Sequence, residues 1–488
     1  FTPAKRPRLG SLSPDKRPKV LAFTLKNDQN ISNICLNFDQ GLPMKRSIDY
    51  HLSNWKQNPR RKSLILRGAR QVGKTHAVRN LGKQFDNFVE INFEVDLEAR
   101  TIFDGNLHPD RIVQHLSLHT NQDIIPGKTL LFLDEAQAQP QALIALRYFY
   151  EEMPGLHVIA AGSLLNFAIA KVGVPVGRVE FLHMHPMSFI EFLYATGHQR
   201  IAKAILLEQS VTDPLTGPMH DMFLRLLNEY LVTGGMPEAV QIWKDTHDLT
   251  AVMAVQQSIA RSYTEDIPKY APKSQAEHVD VIFKHIPHML GQRFKNTNIP
   301  GEYTTRELAP AIDLLEKAMI ARRVYHTSAQ GFPLAAQSDL RKYKLLLVDV
   351  AVTQKLLNSD PREWILNPKI SYINKGPLLE AFVGQELIAY QDPTIPAELF
   401  YWYGEGRGST AELDYIITVN RDVVPVEVKS NRGSSLKSMR SFLTSHPNSK
   451  YGVRFSTHNY SVFDTLHSYP LYAVAALFPQ THAALLAL

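Results

Sequence analysis

Apolar positions divide the chain into two kinds of segment. Leu64-Ile65-Leu66, Thr129 to Leu133 and His157 to Ser163 are unbroken apolar runs too short for helices, so they read as buried strands. Around them apolar residues recur at helical spacing. Ile48, Leu52 and Trp55 precede the first run, and a helical pattern from Thr75 to about Gln84 follows it. Residues 190–275 are predominantly helical, with Phe223, Leu226, Leu227 and Tyr230 on one face and Gly234-Gly235 as a stop.

The second half has a different rhythm. Thr304-Thr305 caps a short turn from Arg306 to Ala309, and Pro310 suits the first position of a further helix reaching about Ile320. Residues 322–348 alternate like a β-wing turning at Gln330-Gly331, so residues 276–350 have a winged-helix pattern. A helix opens at Leu379, after Gly376-Pro377, and Leu399 to Tyr403 is a strand followed by a glycine-rich turn. Ala411 to Val419 and Val423 to Lys429 form a hairpin turning at Asn420-Arg421-Asp422.

Candidate chemistry gathers at two places. Gly68-Ala69-Arg70-Gln71-Val72-Gly73-Lys74-Thr75 fits G-x-x-x-x-G-K-[ST] between a strand and a helix. In that order backbone N–H groups and a helix N-terminus close round the β- and γ-phosphates of ATP. Gly68 and Gly73 are expected to supply backbone angles that a Cβ resists. Lys74 reaches the phosphates and Thr75 holds Mg2+. Sixty residues on, the second strand ends in Asp134-Glu135. There Asp134 would bind Mg2+ and Glu135 would polarise the attacking water. Arg178, in a loop entering a strand, is a candidate to stabilise charge on the transferred phosphoryl, in cis or from a neighbouring subunit. At the second place, alternation puts Glu427 and Lys429 on one face and Val426 and Val428 on the other, with Asp414 facing them from the adjacent strand.

The run from Met44 to Thr75 resembles the prokaryotic ATPases of the AAA superfamily. More narrowly, it is similar to those with a C-terminal domain of unknown function built on a restriction-endonuclease-like, PD-(D/E)xK, core. Further matching stretches are Tyr148 to Glu152, Gly177 to Phe181, Pro186 to Phe189 and Gly234 to Glu238. The resemblance implies a sensor of the γ-phosphate after the third strand, at Ser163 with Asn166 close behind. It also implies a metal site of Asp414 and Glu427, joined by Glu380 from a helix, with Lys429 orienting water or stabilising charge on phosphate.

The expected class is therefore α/β, in successive parts. These are a basic extension (1–43), a P-loop AAA-type ATPase domain (44–195), a helical region (196–275), a winged-helix-like region (276–350), a restriction-endonuclease-like α/β domain (351–475) and a tail (476–488). The expected function is an Mg2+-dependent ATPase coupled to a nuclease-like domain acting on DNA. The alternative is a nucleotide-dependent switch with a catalytically silent C-terminal domain. ATP is the expected ligand; DNA and further copies of the chain are candidate partners.

Composition narrows this little. Apolar residues make up 44% and charged residues 20% of 488, as in a soluble globular protein. Residues 1–43 hold seven Lys/Arg against three Asp, which is four of the six net positive charges, so overall charge is no argument for DNA binding. Lys5-Arg6-Pro7-Arg8 and Lys16-Arg17-Pro18-Lys19 read as a basic address, a nucleic-acid arm or simply part of a disordered extension. Cys35 is the only cysteine, which excludes an internal disulfide and zinc clusters and suits a cytoplasmic setting. No apolar run reaches a membrane span, and the nearest, Leu156 to Val176, is broken by His157, Asn166 and Lys171.

Overall fold

The computed structural model describes residues 44–173, 177–208, 214–270, 273–366, 368–404, 411–430 and 436–488. The basic extension, Cys35 and the glycine-rich turn after Tyr403 lie outside them.

The apolar runs form a five-stranded parallel sheet: β1 (Ser63–Gly68), β2 (Asn87–Asn92), β3 (Thr129–Asp134), β4 (His157–Gly162) and β5 (Val179–Met184). Their order is β2-β3-β4-β1-β5. Every residue of β3 and β4 is buried, as expected where both faces of a parallel sheet are covered. Alternate residues serve two cores. Ile65, Leu131, Leu133, Val158 and Ala160 pack beneath the helices Pro109–Thr120 and Pro140–Glu152. Leu64, Leu66, Phe132, Ile159 and Ala161 belong to a larger core continuous with the rest of the chain. The expected helix ahead of β1 is Ser47–Gln57, burying Ile48, Leu52 and Trp55.

The described residues between 190 and 275 are predominantly helical as expected, chiefly Gly217–Thr233, Pro237–Thr246 and Leu249–Tyr270. No helix among the described residues is long and apolar enough to cross a membrane.

The second sheet has eight strands: β6 (Ala321–Thr327), β7 (Ser338–Leu347), β8 (Leu399–Tyr403), β9 (Glu412–Val419), β10 (Asp422–Lys429), β11 (Gly452–Ser456), β12 (Ser461–Phe463) and β13 (Leu466–Pro470). The order is β12-β13-β11-β10-β9-β8-β6-β7. The hairpin β9–β10 turns where expected, at Asn420 and Arg421, both at positive φ.

Two expectations need correction here. Pro310 does not open a new helix; it lies inside a continuous one, Thr305–Lys317. Its missing N–H costs one hydrogen bond. A reciprocal cap between Thr304 and Glu307 and the buried stripe Leu308, Ala311, Ile312 and Leu315 hold the helix across it. The wing turn is also longer than a Gln330-Gly331 reversal, running from 328 to 337 with a helical turn at Leu334–Gln337. That hairpin pairs in parallel with β8 through Val324, Tyr325 and His326. A single sheet therefore crosses the expected boundary at residue 350.

Candidate nucleotide site and C-terminal carboxylate cluster

Parallel pairing brings the ends of β1, β3 and β4 to one edge, where ligands of open α/β sheets sit. The phosphate loop leaves β1 there. Gly73 has φ +97°, a left-handed conformation just before the helix Lys74–Gly82. Gly68 is required for a different reason from the one expected. A Cβ at Gly68 would lie 2.5 Å from the Met184 carbonyl oxygen and 2.9 Å from Val72, so close approach to β5, rather than backbone angle, demands glycine.

Lys74 is buried, and its Nζ donates to the carbonyls of Gly68 (3.0 Å) and Ala69 (2.8 Å). Burial pulls its pKa down to about 8, partly offset by Glu135 and Asp134. Thr75 Oγ1 donates to Asp134 Oδ2 at 2.9 Å. Asp134 is pushed up to about 6, first by burial and then by Glu135. Two oxygens at that separation fit adjacent positions on an octahedral ion with bonds of about 2.1 Å. The donor set thus suits Mg2+, and a cation there would remove the penalty that raises Asp134.

Glu135 follows in a left-handed conformation, φ 50°, and its Oε2 accepts from Gln137 Nε2 at 2.6 Å. Gln137 lies tight against β4, since a Cβ at Gly162 would fall 2.0 Å from Gln137 Oε1. Ser163 emerges directly after β4, between the ends of β1 and β3, and is buried. Asn166 is turned elsewhere and donates to the Lys317 carbonyl at 2.8 Å.

Arg178 does not reach this edge in its own chain. It precedes Val179, which pairs with Ser63 at the start of β1, whereas Gly68 pairs with Met184. The six intervening steps along β5 put Arg178 roughly 20 Å from the loop, where it pairs with Glu151 at 2.7 Å. An in-cis phosphoryl contact is corrected on this geometry.

Some residues that hold the loop gave no sequence signal. Arg46 Nε pairs with Glu191 at 2.9 Å, and its Nη1 donates to the Val72 carbonyl at 3.0 Å. Glu191 is held below its ordinary pKa despite burial, chiefly by Arg46. Arg70, within the loop, pairs with Asp266 on the helix Leu249–Tyr270. Tyr263 of that helix donates to the Arg70 carbonyl at 2.9 Å.

In the second sheet Glu427 and Lys429 share a face of β10, with Glu427 Oε1 2.5 Å from Lys429 Nζ. Asp414, on β9, accepts from the Val428 N–H at 2.7 Å. Glu380, on the helix Gly376–Ala389, is engaged by a residue the sequence did not suggest. Lys344 Nζ, from β7, lies 2.9 Å from Glu380 Oε1 and 2.8 Å from Glu412 Oε1. Those carboxylates hold the Lys344 ammonium well above its usual pKa although burial opposes it. Among the described residues, no three carboxylate, imidazole or thiol groups are placed to hold a metal ion together. The expected ligands Glu380, Asp414 and Glu427 are thus neighbours that do not form a ligand set.

Three family models match parts of the chain. One described as an AAA domain covers residues 60–193. Two described as domains of unknown function, DUF8612 and DUF4143, cover 224–363 and 375–474. Residues 60–193 thus form an AAA-type ATPase domain. The search of curated proteins gives no significant match. Among solved structures, a Walker-type ATPase of Pyrococcus abyssi aligns at 15% identity, covering 66% of this chain and 99% of its own, with a TM-score of 0.40. PCH-2 of C. elegans aligns at 12% over 46% of this chain and 64% of its own, with a TM-score of 0.25. The Drosophila ORC bound to DNA aligns at 15% over 71% and 96%, with a TM-score of 0.26. At such TM-scores none of the three bears on the reading of the site.

Proposed function

We propose that this chain is an Mg2+-dependent ATPase whose nucleotide state is passed to a nuclease-like C-terminal domain that contacts DNA. The observation that supports it best is the Thr75–Asp134 contact at 2.9 Å, with Lys74 and Glu135 at the same sheet edge. Lys74 would exchange its two loop carbonyls for the β- and γ-phosphates. Thr75 and Asp134 would hold Mg2+, directly or through water, and the ion would neutralise charge on the phosphoryl oxygens. Glu135, steadied by Gln137, would orient and polarise the attacking water, and Ser163 would contact the γ-phosphate.

The route outward begins in the loop itself. Arg70 is gripped by Asp266 and Tyr263, so a loop that moves on binding nucleotide pulls on the helix Leu249–Tyr270. That helix packs on Val350–Leu356, which leads into the C-terminal domain. Asp414, Glu427 and Lys429 on the hairpin, with Glu380 beside them, support a nuclease-like organisation of that domain. The ion pairs of Lys344 favour the second reading for its chemistry, a silent domain that serves as a nucleotide-controlled interaction surface.

The test is hydrolysis of ATP by the full chain with Mg2+, together with DNA binding in ATP and in ADP. The proposal expects turnover that Lys74→Ala abolishes, and DNA affinity that differs between the nucleotides in wild type only. No turnover by wild type, or DNA affinity indifferent to nucleotide, contradicts it.

A further inference from the structure

Four carboxylates gather on the C-terminal sheet and the helix beside it: Glu380, Glu412, Asp414 and Glu427. A restriction-endonuclease-like domain would be expected to hold a divalent ion with such a group. Here the chain's own donors are already seated among them. Lys344 Nζ bridges Glu380 and Glu412 at 2.9 and 2.8 Å, with only 4% of its side chain exposed. Arg293 lies 3.2 Å from the other Glu412 oxygen, Lys429 takes Glu427, and one Asp414 oxygen is spent on the Val428 N–H. Three cations against four carboxylates leave little of the excess negative charge that draws a divalent ion out of water.

The lysine is built in rather than draped over the site. It enters from β7, whose neighbours Leu345, Leu346 and Leu347 are buried, and its ammonium sits 5.2 Å from the Tyr401 ring centroid. Removing a buried ion-pair partner costs far more than the pair itself contributes, so an incoming metal would have to displace a cation the fold holds in place. Glu427 Oε2 is buried without a hydrogen-bond partner. If Lys344 were gone, Glu380 and Glu412 would lose the cation they share and be free to take an ion.

We propose that Lys344 is a resident cation at the centre of this carboxylate cluster and closes it to divalent metal, leaving the C-terminal domain without metal-dependent phosphodiester cleavage. The inference deepens the silent-domain reading above and leaves the ATPase reading untouched, since the two sites share no residue.

The experiment is Mn2+ uptake by the nucleotide-free full chain, read from the electron paramagnetic resonance of free Mn2+. Wild type and Asp414→Asn should take up the same amount, because Asp414 holds no ion. Lys344→Met should gain about one Mn2+ per chain, and Lys344→Met with Asp414→Asn should lose it again. Uptake by wild type that falls with Asp414→Asn overturns the proposal, as does a folded Lys344→Met that gains nothing. Should Lys344→Met fail to fold, the wild-type and Asp414→Asn pair decides alone, since asparagine can still accept from Val428. ATP hydrolysis measured on the same samples keeps failure of the nucleotide site separate.

Discussion

Arg46 donates a 3.0 Å hydrogen bond to the carbonyl of Val72, fastening the phosphate loop from beneath. The same guanidinium pairs with Glu191 and donates to the His185 carbonyl at 2.8 Å. Glu191 in turn accepts from the N–H groups of Ser47 and Ser188. The loop is thus tied to the segment after β5, and that segment continues the network. Phe189 N–H donates to Glu386 at 2.9 Å, and Tyr230 donates to the Met187 carbonyl at 2.6 Å. Pro186 to Phe189, singled out by resemblance alone, proves to be where the nucleotide domain meets the helices Gly217–Thr233 and Gly376–Ala389.

Replacing Arg46 with methionine strands Glu191 as a buried, unpaired charge. The expected cost is about 3 kcal/mol of stability, with a higher KM for ATP because the Val72 carbonyl loses its donor. Arg46→Lys should recover part of both. Urea unfolding and ATP titration read them, and a methionine variant with unchanged stability and KM would remove Arg46 from the loop's support.

Glu386 supplies a pH test. Burial pushes its carboxyl up to about 8, with hydrogen bonds from Tyr390 and Phe189 opposing. A carboxyl whose folded pKa exceeds its unfolded value binds its proton more tightly when folded. Its stabilising contribution is full below the ordinary value of 4.5 and is lost as pH rises towards about 8. Glu386→Gln has no such loss, so its stability relative to wild type should improve from pH 5 to about pH 8 and level off by pH 9. Denaturant curves that stay parallel across that range would show that Glu386 does not titrate there.

The apolar runs at Leu64, Thr129 and His157 are strands because an interior strand of a parallel sheet has no polar face, and that signal is local. The pairings of Arg46 with Glu191 and of Lys344 with Glu380 join residues 145 and 36 positions apart. A lone charge in a sequence gives no sign of its partner. Lys344 alternates with Tyr343 and Leu345 and reads as the solvent side of a wing until β6 is seen to pair with β8. Arg178 was misplaced for a topological reason. In a parallel sheet the residue before a strand lies at the opposite edge from the loops that leave the strands.

Arg178→Ala should accordingly leave hydrolysis within about twofold of wild type. The lost pair with Glu151 is a solvent-exposed one and contributes little to stability. Measuring turnover across a range of protein concentrations makes this decisive. A loss of activity that deepens as concentration rises would show Arg178 serving the site of a neighbouring copy.

The central claim, that the edge formed by Lys74, Thr75, Asp134 and Glu135 hydrolyses ATP, is tested most directly by Glu135→Gln. The glutamine keeps the size of the side chain and cannot act as a base towards water. ATP binding by the variant, measured by fluorescence of a labelled analogue with Mg2+, should match wild type. Phosphate release should fall by about a hundredfold or more. Equal phosphate release from wild type and Glu135→Gln would contradict the account.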